Sequence, residues 1–141
     1  MRKKYLLTVL VLLVSVICFA GMLLQNSTQR YGNYVDGENY RRIQENELLE
    51  IQEKEHPVYL LDVREREELS DGMIPGAVHV PLSNFTESIE RLNLQKQYIV
   101  IVYCASGVRS ATAARQLCSL GYLEIYDFGG IGNYSGTLCS F

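Results

Sequence analysis

Apolar positions fall into two regimes along this chain. Residues 5–24, "YLLTVLVLLVSVICFAGMLL", run without a charge directly after Met-Arg-Lys-Lys. That is the apolar length a bilayer asks of a helix, with a cationic flank that stays in the cytoplasm. The pattern predicts an N-terminal apolar helix over 1–25 acting as an uncleaved membrane anchor. A cleaved signal peptide is the second reading. Either one puts the rest of the chain outside the cytoplasm: membrane-anchored, or secreted or periplasmic. Residues 26–39 are polar and Gly/Asn-rich and predict a spacer.

From residue 40 the pattern changes. Leu48, Leu49 and Ile51 among acids predict an amphipathic helix that His56-Pro57 ends. "VYLLDV" (58–63), "AVHV" (77–80), "YIVIVY" (98–103) and "YLEIYDF" (122–128) predict strands, rich in β-branched and aromatic residues. Helices are predicted between them over 64–69, 84–92 and 108–120, the last stopped by Gly121. Strands alternating with helices predict an α/β fold: a mostly parallel central sheet with helices on both faces. A run such as "YIVIVY" fits a strand covered on both sides. Residues 40–141 suffice for one small domain.

Composition narrows the function. The net charge is −3 and no basic run lies beyond the N-terminus, which removes the electrostatic basis for nucleic-acid binding. Four cysteines occur, at 18, 104, 118 and 139, with no C-x-x-C pair. That argues against a zinc site and against a thioredoxin-type redox pair, and no metal or cofactor is expected. Cys118, on the apolar side of a predicted helix, reads as a small core residue. Its pairing with Cys139 would need a geometry that sequence does not supply.

In parallel sheets, sites form at the carboxyl ends of strands. Asp62 and Cys104 stand at such ends. Cys104 opens "CASGVRS" (104–110), where Gly107 permits a tight turn and Ser106 and Ser110 offer hydroxyls. Arg109 adds a permanent cation. The following helix points its free N–H groups back at the sulfur. Each feature favours a thiolate. His56 and His79 lie away from this loop in sequence, so activation falls to backbone amides, helix dipole and Arg109, not to a general base.

Four segments resemble the single-domain rhodaneses, a sulfurtransferase family: "LDVRE" (61–65), "GMIPGAVHVP" (72–81), "CASGVRS" (104–110) and "GGIGNYSG" (129–136). The resemblance implies a rhodanese-like α/β fold. It also implies transfer of a sulfane sulfur from a donor such as thiosulfate, through a Cys104 persulfide, to cyanide or a thiol. Ala105, Ser106, Gly107, Val108, Arg109 and Ser110 would form the binding loop. Asp62 and Arg64 would brace the pocket wall, with Arg64 pairing to Glu68 one turn on. Ile74-Pro75-Gly76-Ala77 would be a rigid turn. Four residues separate Cys104 from Arg109, where phosphatases sharing this fold use five, so the loop fits sulfur better than phosphate.

The chain departs from the family at Ala105, where a cation or glutamine is common, at Met73, where histidine is common, and at Tyr134, where tryptophan is usual. The last predicted helix must be short. A thiolate outside the cytoplasm is open to oxidation, and residence as a persulfide or a reductase partner would protect it. Two further readings remain. One is a non-catalytic, membrane-tethered module acting as sulfur carrier or interaction domain. The other is a thiol-disulfide or phosphate-ester enzyme, disfavoured by the lone cysteine and the loop length.

Overall fold

A computed structural model describes residues 32–54 and 57–141. The expected apolar helix and anchor over 1–25 lie outside these residues, as does His56. Among the described residues no helix is long and apolar enough to cross a membrane.

Among the described residues, six strands form one sheet: β1 (Asn33–Tyr34), β2 (Arg41–Arg42), β3 (Val58–Asp62), β4 (Ala77–His79), β5 (Ile99–Cys104) and β6 (Glu124–Gly130). Their order is β1-β2-β6-β5-β3-β4. All neighbours are parallel except β1, which pairs antiparallel with β2. Helices α1 (Glu45–Glu53), α2 (Phe85–Leu92) and α3 (Val108–Ser119) cover the sheet.

Strand periodicity divides the core in two. Val100, Val102 and Cys104 of β5 face one side, with Phe85 and Ile89 of α2 and Ala113, Ala114 and Leu117 of α3. Ile101 and Tyr103 face the other, with Leu48 and Ile51 of α1 and Phe128 of β6. Each such large side chain, removed from water, stabilises the fold by about 1.5–3 kcal/mol. The expected sheet with helices on both faces is what this arrangement gives.

Local chemistry sets the element ends. Gln44 caps α1 in a reciprocal box with Glu47, whose Oε2 accepts the Gln44 N–H at 2.9 Å. Asn93 ends α2 at φ 47, its N–H returning to the Ile89 and Glu90 carbonyls.

Several expected boundaries move. Arg41–Arg42, ahead of the expected amphipathic helix, forms a short strand beside β6 that was not expected. Asn33–Tyr34, within the stretch expected as spacer, pairs with it. The helix expected over 64–69 is a 3-10 turn at Arg66–Asp71. Strand β6 runs through Gly129-Gly130 instead of stopping before them, with a bulge opposite Val102/Tyr103. After a 3-10 turn at Ile131–Asn133, the chain returns so that Cys139 bridges Met73. Met73 is buried there.

Candidate active site

Strand β5 ends on Cys104, and α3 begins four residues later. Between them Gly107 takes φ 96, a left-handed conformation that a Cβ would strain. This turn folds the chain over the sulfur. The Gly107 N–H donates to Cys104 Sγ at 3.1 Å. Burial alone would push the thiol up, but the N–H groups of Ser110, Gly107 and Ser106 and the Ser110 hydroxyl outweigh it. The net direction is down, toward thiolate. Ser110 is buried, and its single hydroxyl proton is shared between the sulfur and the Gly107 carbonyl oxygen 3.0 Å away.

The floor beneath this turn is the glycine pair of β6. A Cβ on Gly130 would stand 2.8 Å from the Ala105 carbonyl oxygen and 3.3 Å from Ser106 Cα. A Cβ on Gly107 would stand 3.4 Å from Gly129 Cα. Buried Asp127 shapes this floor, accepting the Gly129 N–H at 2.8 Å and an Arg42 Nη2 hydrogen bond at 2.8 Å. The sequence marked the glycines as part of a C-terminal stretch. Their role as loop floor was not legible, because it depends on the bulge that places them under Ala105 and Ser106.

Arg109, read from sequence as a permanent cation that favours the anion, is held by a carboxylate and also interacts with Cys104. Its two terminal nitrogens donate to both Glu68 oxygens, the Nη2–Oε1 distance being 2.6 Å. Arg109 in turn holds Glu68 far below the usual carboxylate range, at about 2. The thiol is lowered by amides and the Ser110 hydroxyl. Arg64 does not pair with the Glu68 carboxylate; it donates to the Glu68 backbone carbonyl at 3.0 Å. Its carboxylate partner is Asp62, with Nη2–Oδ2 at 2.6 Å, and it also donates to the Gly72 carbonyl at 2.6 Å. Both residues are buried. Asp62 and Arg64 thus fasten the end of β3 to the 66–72 turn, which carries Glu68 to Arg109. Glu68 was missed as a site residue because a carboxylate in "REREELSD" has no distinguishing spacing.

Around the sulfur, Ala105 and Ser106 are exposed and Val108 is 73% exposed, whereas Cys104 itself is 0% exposed. His79 lies apart, its Nε2 hydrogen-bonded with the Arg64 carbonyl at 2.9 Å. Cys118 and Cys139 are both free, the first packed against the core and the second exposed.

Comparison with known proteins places the chain. The family model "Rhodanese-like domain" matches residues 44–136. "Putative sulfurtransferase YtwF" of Bacillus subtilis is 38% identical over 89 residues, covering 63% of this chain and 84% of that one. "Thiosulfate sulfurtransferase GlpE" of Coxiella burnetii is 29% identical over 91 residues, covering 64% and 82%. The crystal structure of a rhodanese-like domain protein from Staphylococcus aureus superposes with a TM-score of 0.62 at 28% identity, covering 71% of this chain and 97% of that one.

Proposed function

From the premise that this chain belongs to the rhodanese-like domain family, we propose that it is a sulfurtransferase working through a Cys104 persulfide. The Cys104 thiolate attacks the outer sulfur of a donor such as thiosulfate. A Cys104–sulfur bond forms, the donor's S–S bond breaks, and sulfite leaves with the electron pair. The outer sulfur of the persulfide is then attacked by cyanide or a thiolate. Thiocyanate or a new persulfide departs, and the Cys104 thiolate returns. This is covalent catalysis of the ping-pong kind, and no external oxidant or reductant enters its balance.

One observation carries the reading: the sulfur sits inside a ring of backbone N–H groups at the start of α3. Such a ring stabilises an anion on sulfur, whether thiolate or terminal persulfide. The GlpE name supports thiosulfate as a donor. The Glu68–Arg109 pair supports the loop rather than gripping the donor. Asp62 and Arg64 have a bracing role.

The test is intact mass of the purified chain after incubation with thiosulfate, then with cyanide. The expected result is gain of one sulfur atom, its discharge as thiocyanate, and neither event in Cys104→Ser. Full burial of Cys104 favours a second reading, a sulfur carrier that loads but discharges slowly. Persulfide that resists cyanide selects that reading.

Export through residues 1–25 is part of the proposal and rests on their sequence alone. A thiol- or protease-accessibility assay on intact cells, expected to reach residues 40–141 from outside, tests it. A reductase that keeps Cys104 reduced belongs to the same proposal.

A further inference from the structure

We propose that Asp127 is a positioning residue for sulfur transfer: it makes the bulge in β6 that holds the Gly129-Gly130 floor under the 105–107 turn, and Arg42 anchors it there. The inference rests on the persulfide reading above and names what sets the geometry of its nucleophile.

Asp127 is a wholly buried carboxylate that the transfer chemistry leaves unused. By strand alternation it shares a sheet face with Ile125, the apolar face that carries Cys104. A charge in such a place costs stability unless it is paired and hydrogen-bonded. Its two oxygens divide that requirement. Oδ2 accepts Arg42 Nη2 at 2.8 Å, and Oδ1 accepts the Gly129 N–H at 2.8 Å. The guanidinium reaches in from β2, its side chain mostly exposed. The buried Tyr40 phenol also feels this carboxylate: burial, then the Asp127 charge, pushes it up.

The bond to Gly129 explains the bulge. A carboxylate that accepts the N–H two residues on is the local turn that aspartate favours over a regular ladder. Gly129 completes the turn at φ 82, in the left-handed region. Asp127 pairs with Val102 and Gly129 with Tyr103, so Phe128 is the extra residue. In an unbroken ladder Phe128 would stand opposite Tyr103, and Gly129 opposite Cys104. The kink puts Gly130 there instead. It also brings Gly129 against Gly107, and Gly130 against Ala105 and Ser106. A slip of one residue would invert every side chain from this point and remove the floor that fits the turn.

The experiment titrates Cys104 by alkylation at that residue against pH, at high salt, in the full chain and in Asp127→Ala, Asp127→Asn and Arg42→Ala. Thermal melting and the acid limb of kcat/KM for thiosulfate are measured alongside. Removal of a negative charge would by itself favour the thiolate and move the midpoint down. Loss of the bulge weakens the amide ring, so Asp127→Ala should instead move it up by about one pH unit. Asp127→Asn loses the charge but keeps an oxygen for the Gly129 N–H, and should recover most of that shift. Arg42→Ala should move the midpoint up by about half a unit, at a salt concentration that screens the direct effect of the guanidinium. The acid limb should follow the midpoint in each variant. A midpoint that stays or falls in folded Asp127→Ala, even with earlier melting, overturns the proposal. So does an asparagine variant displaced as far as the alanine one. If Asp127→Ala does not fold, Arg42→Ala decides, and an unmoved midpoint there overturns the proposal. If the parent chain gains no sulfur from thiosulfate, the persulfide reading has failed, while the alkylation midpoints still decide whether Asp127 positions the thiol.

Discussion

Gly130→Ala tests whether the geometry of the cradle, not merely the presence of a cysteine, makes the site. Gly130 has φ −90 and ψ 145, which alanine adopts freely, so the substitution is purely steric. The new methyl would sit 2.8 Å from the Ala105 carbonyl oxygen, and ordinary contact begins near 3.4 Å. The loop must lift by roughly half an ångström, since its neighbour is backbone and not a flexible side chain. Overpacking of this kind costs about 1–3 kcal/mol. In a domain of this size each kcal/mol lowers Tm by about 4–8 °C. The larger effect should be on chemistry. Lifting Ala105 and Ser106 weakens donation from the Gly107 amide, now 3.1 Å from the sulfur. A hydrogen bond to a charged group is worth about 1.5–3 kcal/mol. Each 1.36 kcal/mol lost moves the thiol up by about one pKa unit. The assay is the pH profile of kcat/KM for sulfur transfer, with thermal melting alongside. The acid limb should move up by about one unit. Gly132→Ala, whose methyl meets nothing within 4 Å, should leave both measurements unchanged. A Gly130→Ala variant that melts earlier but keeps its acid limb refutes the reasoning, because the glycine would then serve packing alone.

Two further outcomes follow from the ion pairs. Glu68 binds no proton in the native state down to about 2, whereas unfolded it titrates near 4.5. Its contribution to stability is therefore complete above 4.5 and is lost as pH falls through about 2. The shift is nominally worth about 3 kcal/mol, but the carboxylate is 35% exposed, so solvent screening reduces this to about 1 kcal/mol. Urea unfolding of Glu68→Gln should lose that amount at neutral pH and show a flatter acid dependence; an unchanged pH slope would contradict the assignment. Asp62→Asn leaves Arg64 buried without its counter-charge and should cost about 3–5 kcal/mol in chemical denaturation. A cost below about 1 kcal/mol would show that the Gly72 and Glu68 carbonyls suffice for Arg64.

Much of the fold was legible because burial on both faces leaves a strong mark. The runs around Val58–Asp62 and Ile99–Cys104 are continuous and apolar, and the strands lie there. Arg41–Arg42 carries no such mark. It is a strand only because β6 offers an edge, and its charged side chains reach solvent and Asp127. At the site, Cys104 and its turn were legible because a strand end, a glycine and a helix start are local in sequence. The pairing of Arg109 with Glu68 was not, since 41 residues separate them and nothing local distinguishes Glu68 from Glu67. That pairing changes the geometry: amides lower the thiol, and the guanidinium, tied to Glu68, still interacts with Cys104 from that fixed position.

The most direct measurement is the titration of Cys104 in the native chain, read as the rate of alkylation at that residue against pH and resolved from Cys118 and Cys139 by peptide mass. Because the sulfur is fully buried, opening of the 105–107 turn scales the absolute rate, while the midpoint reports the thiol. The amide ring predicts a midpoint below that of an ordinary cysteine, moving upward in Gly130→Ala. A midpoint at or above the ordinary value would mean that these N–H groups do not hold an anion, and sulfur transfer at Cys104 would lose its physical basis.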